Sequence, residues 1–409
     1  MNLRDTTDGL FQREEQQETD AGLQTEREPL WSRTRLGRSF PPLERDLELD
    51  VAIVGGGISG LTAGVLLKRA GKRVALVEAA HIERGISRTM SAGLAQCTDT
   101  RIPALVRDFG PARARLIWDS SRAALEQIRK LVALYRIESP LHCLPGWLFT
   151  QSAVGAEELH QEYLAIREIG VPVHWIERGV PLPFRVTAAL RYDHQVQVRS
   201  HDYLLHLAHA LDEGGSHVFE DSRVVELGAG PALQLSTEGG SLRARDVIVT
   251  SNADSAAQPE STWRRRHAIA ARVRENLPEG VFWDDSEPFH CLHGQSVDGQ
   301  SLLIASGEDH LDSESDPAAR FQRLADWLGG RFEVRAIGQR WSRKVADPLE
   351  ALPCITNDVR SEHIHEVARC KGASMSLQTL AGMIVSDRIL GRGNPWKSFY
   401  GRAAIEAAG

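Results

Sequence analysis

Residues 50–78 read DVAIVGGGISGLTAGVLLKRAGKRVALVE. The order is short apolar strand, glycine turn, helix, second strand and acidic residue, within one unit of roughly 30 residues. Val51–Val54 supplies the first strand, and Gly55, Gly57 and Gly60 stand in G-x-G-x-x-G spacing. The first glycine permits the tight turn, the second lets backbone approach a pyrophosphate, and the third lets the helix pack close on the strand. A helix is expected from about Ser59 to Ala70, with its N-terminal amides and dipole facing the phosphates. Gly71 ends it, where a free φ is cheap. Arg73–Val77 reads as the second strand. Glu78 stands 18 positions after Gly60, placed to accept both hydroxyl protons of an adenosine ribose. A glycine triplet alone is weak evidence; the whole strand–turn–helix–strand context makes dinucleotide binding the reading here. Residues 51–67 lack charge, but the run is short for a bilayer and leads straight into Lys68, Arg69 and Lys72.

Around this unit, 409 residues can bury a large core and form two interleaved domains. Net charge is −7, and residues 1–28, with eight acids and three arginines, hold most of it. The near-neutral remainder argues against an extended nucleic-acid surface. Arg264–Arg266 reads as a solvated basic patch. Residues 1–28 are polar with few apolar anchors and are expected to form a disordered acidic tail. Residues 29–48, with Trp31, Phe40 and Pro41–Pro42, read as an ordered lead-in. The five cysteines, Cys97, Cys143, Cys291, Cys354 and Cys370, form no C-x-x-C and suit a reducing compartment. No signal peptide is visible, so a cytoplasmic location without an integral membrane segment is expected.

Further along, Pro103–Tyr135 is helical by pattern, Leu141–Thr150 reads as a strand, Glu157–Ile169 as a helix and Val171–Ile176 as a strand. Asp202–Leu211 is an amphipathic helix. Val218–Leu227, Leu233–Thr237 and Val247–Thr250 read as strands, as do Ala268–Arg274, Val281–Trp283 and Leu302–Ala305. Pro317–Leu328 and Leu377–Leu390 are the last helices.

SFPPLERDLELDVAIVGGG at 39–57, LLIASGEDH at 302–310, RWS at 340–342 with ALP at 351–353, and ILGRGNPW at 389–396 resemble the D-amino-acid oxidase-like superfamily of FAD oxidoreductases. Among these, the chain is most similar to bacterial members that carry a C-terminal Rieske domain. Rieske ligation takes C-x-H and C-x-x-H pairs; Cys291-x-His293 is the only half present, so no iron–sulfur cluster is expected. The resemblance implies an α/β fold. A Rossmann-like FAD-binding domain (29–140, 196–258 and 350–400) would interleave with an α+β substrate domain (141–195 and 259–349) on a mostly antiparallel sheet. It implies FAD rather than NAD, held by Gly55, Gly57, Ile58, Ser59, Gly60, Glu78, Ala79, Ser87, Arg88, Val224, Gly372 and Met375. A valine backbone at Arg223–Val225 would meet the adenine, Asp246–Ala253 would pass near the pyrophosphate, and Gly372–Thr379 would cover the pyrimidine side of the flavin. The chain departs from the family pattern in GISRTMSAG at 85–93, in Lys371 and Ser374 where glycines are usual, and in Thr250-Ser251-Asn252.

In such proteins the flavin does the redox work while the protein orients a C–H bond and tunes the ring. The implied reaction is oxidation of a C–N bond in an amine or amino acid. Three residues are candidates for the chemistry. Lys371 would put a cation near the ring, His293 lies on a substrate-domain strand, and Arg340 would grip a carboxylate. His363 and His365 lack a third ligand at suitable spacing, so no metal is expected. The alternative reading is a flavin-fold protein that binds FAD or a nucleotide without turnover, as a partner subunit. An NAD-dependent dehydrogenase would need a second nicotinamide feature that the sequence lacks.

Overall fold

The glycine-turn unit sets the architecture, because its strand β1 becomes the centre of a parallel sheet. The computed structural model describes residues 40–82, 94–95, 101–137, 141–228, 233–250, 264–297, 299–311, 316–345, 352–358, 361–368 and 374–401. The expected tail at 1–28 and the residues Ser87, Arg88, Lys371 and Gly372 lie outside them. The chain begins with β1 (Leu47–Val54), α1 (Ile58–Arg69) and β2 (Val74–Val77). It continues with β3 (Leu94–Ala95), α2 (Ile102–Phe109), α3 (Pro111–Leu134), β4 (His142–Thr150), α4 (Ala153–Glu168), β5 (His174–Ile176), β6 (Ala188–Gln197) and α5 (Ser200–Leu211). Then come β7 (His217–Phe219), β8 (Glu226–Leu227), β9 (Leu233–Ser236), β10 (Ser241–Val249), β11 (Arg264–Val273), β12 (Val281–Asp284), β13 (His290–Val297) and β14 (Gln300–Leu311). Last are α6 (Pro317–Gly329), β15 (Val334–Val345), β16 (Cys354–Asp358), β17 (Ser361–Ala368) and α7 (Met375–Ile389).

Two expected elements are each split. The single helix over Pro103–Tyr135 is two, parted at Gly110, whose φ of +78° stops α2 while Pro111 opens α3. The strand over Val218–Leu227 is β7 and β8. Between them the chain bends back, with the Asp221 and Ser222 amides donating to the carbonyls of Ala80 and Glu78.

The described residues fall into two units: those within 34–142, 196–259 and 346–409, and those within 143–195 and 260–345. In the first, the sheet order is β16-β17-β10-β1-β2-β7, with β9 on β10 and β8 on β9. Pairings among β17, β10, β1, β2 and β7 are parallel. Val51, Ala52 and Ile53 are fully buried, as expected of a parallel strand covered on both faces. One face buries Ala52, Ala75, Val77, Phe219, Leu235 and Val247 in a single cluster. Helices α1, α3, α5 and α7 pack together. The α1–α7 approach is close enough that a Cβ on Gly382 would lie 2.7 Å from the Ser59 carbonyl oxygen.

The second unit is built on a mostly antiparallel sheet in the order β15-β11-β14-β13-β12-β4-β6, with β5 on β6. Its strands alternate between two faces. One carries Trp147, Ile269, Phe282, Leu292, Leu303 and Ala305 against Phe321, Leu324 and Leu328 of α6. The other carries Ala268, Ala270, Leu302, Ile304 and Trp341.

Candidate functional site: a nucleotide cradle and a buried polar face

The cradle forms where β1 turns into α1. Gly55 has φ +107°, a conformation glycine adopts without strain, and its amide donates to the Val77 carbonyl at 2.9 Å, holding the turn against β2. The Thr250 hydroxyl donates to the carbonyls of Val54 (3.0 Å) and Gly55 (3.2 Å), bracing the turn from β10. Gly60 backs directly onto this turn: a Cβ there would collide with the Gly55 carbonyl oxygen. Gly57 is different. It is the N-cap of α1, and a Cβ placed on it would meet nothing within 4 Å among the described residues.

Helix α1 therefore begins with no side-chain cap and no acid in its first turn. The side chains of Ile58 and Ser59 are buried, which leaves backbone to meet a ligand there. The first amides of a helix have no intrahelical acceptor, and the dipole places partial positive charge among them. Open space before such an end fits a diphosphate.

Glu78 closes the cradle at the end of β2. Its Oε2 accepts the Gly56 amide at 2.8 Å and its Oε1 the Ala80 amide at 3.1 Å. An ionised carboxylate has about four acceptor sites, so two remain for ribose hydroxyls. Ala79, next in the chain, is exposed. The residues present thus fit an adenosine diphosphate moiety.

Other expected contributors are placed as follows. Val224 packs at the edge of the cluster containing Ala75 and Val77. The Val225 amide donates to Ser236. Met375, fully buried, opens α7 behind its N-cap Ser374, whose hydroxyl accepts the Leu377 amide. Ser374 is one of the departures from the family pattern, and here it caps a helix. Asp246 pairs in register with Val51, and its partners are His363 (2.8 Å) and His365 (3.5 Å) rather than the turn. Burial opposes ionisation of Asp246, but hydrogen bonds and charge from the two histidines outweigh it and hold the carboxyl below its usual range. That accounts for the H-I-H pattern. Among the described residues no group of three or more His, Cys, Asp or Glu is placed to hold a metal.

Sequence reading also missed Glu220. Buried, it accepts the amides of Phe40 (3.0 Å) and Ile82 (2.8 Å). Nothing in the local pattern marks it, since its partners lie far off in sequence.

In the second unit, Arg340 pairs in register with Ile269. It therefore stands on the face that carries the α6 core. His293 stands on the opposite face, in the row Gln339–Ala270–Ile304–His293–Val281–Gly146. Burial pushes His293 down to about 4, so its ring is neutral near pH 7. Its strand neighbour Cys291, also buried, has its thiol pushed up to about 12 and is no nucleophile.

On the α6 side several polar groups are paired. His290 bonds Asp284 at 2.9 Å and meets Glu308 at 3.4 Å, and Glu308 accepts from Arg323 at 2.7 Å. His310 donates from Nδ1 to the Leu311 carbonyl at 2.7 Å when that nitrogen carries the proton. Its Nε2 then accepts from His267 Nε2 at 3.0 Å. Burial, followed by the electrostatic influence of His310, Arg265 and Arg320, pushes His267 down to about 4.

With this geometry in place, the comparisons with known proteins are consistent in kind. The family model of FAD dependent oxidoreductases, DAO, matches residues 50–388. YhfW of Bacillus subtilis (strain 168), which bears a Rieske 2Fe-2S iron-sulfur designation, is 24% identical over 383 residues, covering 91% of this chain and 75% of its own. Glycine oxidase of Geobacillus kaustophilus is 27% identical over 221 residues, 50% of this chain and 54% of that one. The crystal structure of the G. kaustophilus glycine oxidase superimposes with a TM-score of 0.67, covering 85% of this chain and 96% of that one at 20% identity. The L-proline dehydrogenase of P. horikoshii superimposes with a TM-score of 0.69, over 90% and 99% of the two chains at 16% identity. A family match over most of the chain, meeting a cradle that fits the adenosine half of its cofactor, makes this protein a member of the DAO family of FAD-dependent oxidoreductases, an enzyme with FAD as cofactor.

Proposed function

We propose that the enzyme oxidises a C–N bond of an amine or amino acid, with residues 29–140, 196–258 and 350–400 holding FAD and residues 141–195 and 259–349 binding the substrate. The open space at Gly57 before an uncapped helix, with Glu78 held at the ribose end, carries the cofactor half of this reading. The substrate half is supported by relatives named for glycine and L-proline. When bound, the flavin supplies the two-electron acceptor. Backbone amides at Gly57, Ile58 and Ser59 neutralise the diphosphate, and Glu78 orients the ribose. Lys371, Ser87, Arg88 and Gly372 enter by family resemblance, toward the ring and the diphosphate.

His293 is not the base that frees the amine. Its conjugate acid is acidic at about 4, whereas an ammonium resembles lysine at about 10.4. Proton transfer between them is uphill by about 9 kcal/mol. The substrate is therefore taken as the free amine. This makes turnover rise with pH below the substrate's own pKa. The second reading, FAD bound without turnover, loses one of its supports because Ser374 is accounted for as a helix cap.

The visible spectrum of the purified protein tests the cofactor half, and anaerobic bleaching by a panel of primary and secondary amines tests the substrate half. Two flavin bands and bleaching by at least one amine are expected. A yellow protein that no amine bleaches would sink the oxidative reading.

A further inference from the structure

Buried polar atoms in folded proteins are nearly always hydrogen-bonded. One face of β13 breaks that rule in a concentrated way. His293 is 1% exposed, and neither of its ring nitrogens has a partner among the described residues. Gln295, two positions along the same face, is 8% exposed, and both its amide nitrogen and its amide oxygen are likewise without partners. Gln339, in the row of His293, leaves its side-chain oxygen unpartnered at 5% exposure. Between them the floor is apolar: Ala270, Ile304 and Leu302. On the opposite face, under α6, His290, Asp284, Glu308 and Arg323 bond one another, and the unpartnered atoms, His267 Nδ1 and Trp327 Nε1, are more scattered.

This face also carries Arg266, Arg272 and Arg343, on β11 and β15, outside the row of His293. Burial alone accounts for the lowered basicity of His293, with no charged neighbour contributing. Farther along, Arg266 is neutralised by Asp309 at 2.7 Å. A carboxylate brought here could only accept, and would leave the side-chain oxygens of Gln295 and Gln339 without a donor. An uncharged group that both donates and accepts would satisfy what is left open. A neutral imidazole offers one donor and one acceptor, and a carboxamide offers both as well. Successive same-face positions of a strand lie roughly 6.5–7 Å apart. The nitrogen and oxygen of an amide, about 2.2 Å apart, bridge two such positions through hydrogen bonds of about 2.9 Å.

We propose that His293 and Gln295 form a binding site for an uncharged carboxamide-type group of the substrate, and that the enzyme prefers amines bearing such a group to amino acids with a free carboxylate there. This rests on the oxidative reading above. His293 and Gln295 are positioning residues in it. They fix which molecule presents its C–H bond, and they move no proton.

The test pairs a binding measurement with a kinetic one on the FAD-loaded enzyme. Calorimetric titration compares acetamide with acetate, which differ only in the group at issue. Anaerobic bleaching compares glycinamide with glycine. Acetamide should bind while acetate does not, and glycinamide should be favoured in kcat/KM by about tenfold or more. Gln295→Leu, close to isosteric, should abolish acetamide binding and collapse the glycinamide preference through KM. Acetate binding as well as acetamide, glycine preferred over glycinamide, or neither small ligand binding would overturn the proposal; the last would mean that water alone fills the face. Retained acetamide binding with no bleaching by any amine would support the site and overturn the oxidative reading instead.

Discussion

The three glycines of the turn do different work, and single substitutions separate them. A side chain on Gly60 drives into the Gly55 carbonyl, so it damages the fold. A Cβ on Gly57 meets no atom of the described residues within 4 Å, and the residue's φ of −77° suits any L-amino acid. Gly57→Val should therefore fold with the melting temperature of the wild-type apoprotein yet purify colourless, because the valine fills the space the diphosphate needs. The flavin-to-protein absorbance ratio checks this, and full occupancy would move the phosphate site elsewhere. Spacing alone made these roles readable, since each glycine's duty follows from its place in the turn. Glu78 was legible only in part. Its position 18 after Gly60 marked it for ribose, but its bonds to the Gly56 and Ala80 amides depend on how the chain folds back. No pattern in sequence encodes His293 and Gln295 as unpartnered, because that property belongs to their surroundings.

At the level of elements, α1 is aimed by α7. Gly382 lets the two backbones meet, with Ser59 carbonyl and Thr62 Cβ at 2.7 and 2.8 Å from where its Cβ would stand. Gly382→Val should overpack this seam and cost about 1–3 kcal/mol, lowering the apoprotein melting temperature by several degrees. It should weaken FAD retention too, because the α1 N-terminus moves with the helix. A variant with unchanged melting and flavin content would show that the seam tolerates a branched side chain. Helices with strong periodicity or clear caps were legible, α6 and α7 among them. Strands β6 and β15 were not. β6 reads AALRYDHQVQ, with His194 at φ +62° interrupting it, so its apolar positions do not alternate. β15 reads VRAIGQRWSRKV, and its polar residues face a sheet partner that only the tertiary fold supplies.

Across the whole molecule, two buried histidines set the response to acid. His267 and His293 sit near 4 in the fold against an ordinary 6.5. As pH falls through that interval the unfolded chain takes up protons that the folded chain refuses. Stability is thus full above about 6.5 and declines toward 4, by about 3 kcal/mol for each histidine. Denaturant midpoints measured between pH 7 and pH 4.5 should fall, and His293→Phe should flatten part of the slope. A wild-type midpoint constant over that range would contradict the burial of both rings. The glycine unit was legible as the marker of one of the two units. Their detailed pairing was not, since it joins strands far apart in sequence. One tie of this kind reaches further than its size suggests. Glu220 holds the amides of Phe40 and Ile82 on a single carboxylate, so the place where the chain enters the sheet and the segment just past Glu78 share an anchor. Shortening the protein up to Ser39 leaves that anchor whole, whereas trimming through Phe40 and Pro41 slackens the ribose end of the cradle. Flavin would then leak from a protein whose every cofactor-contacting residue is intact.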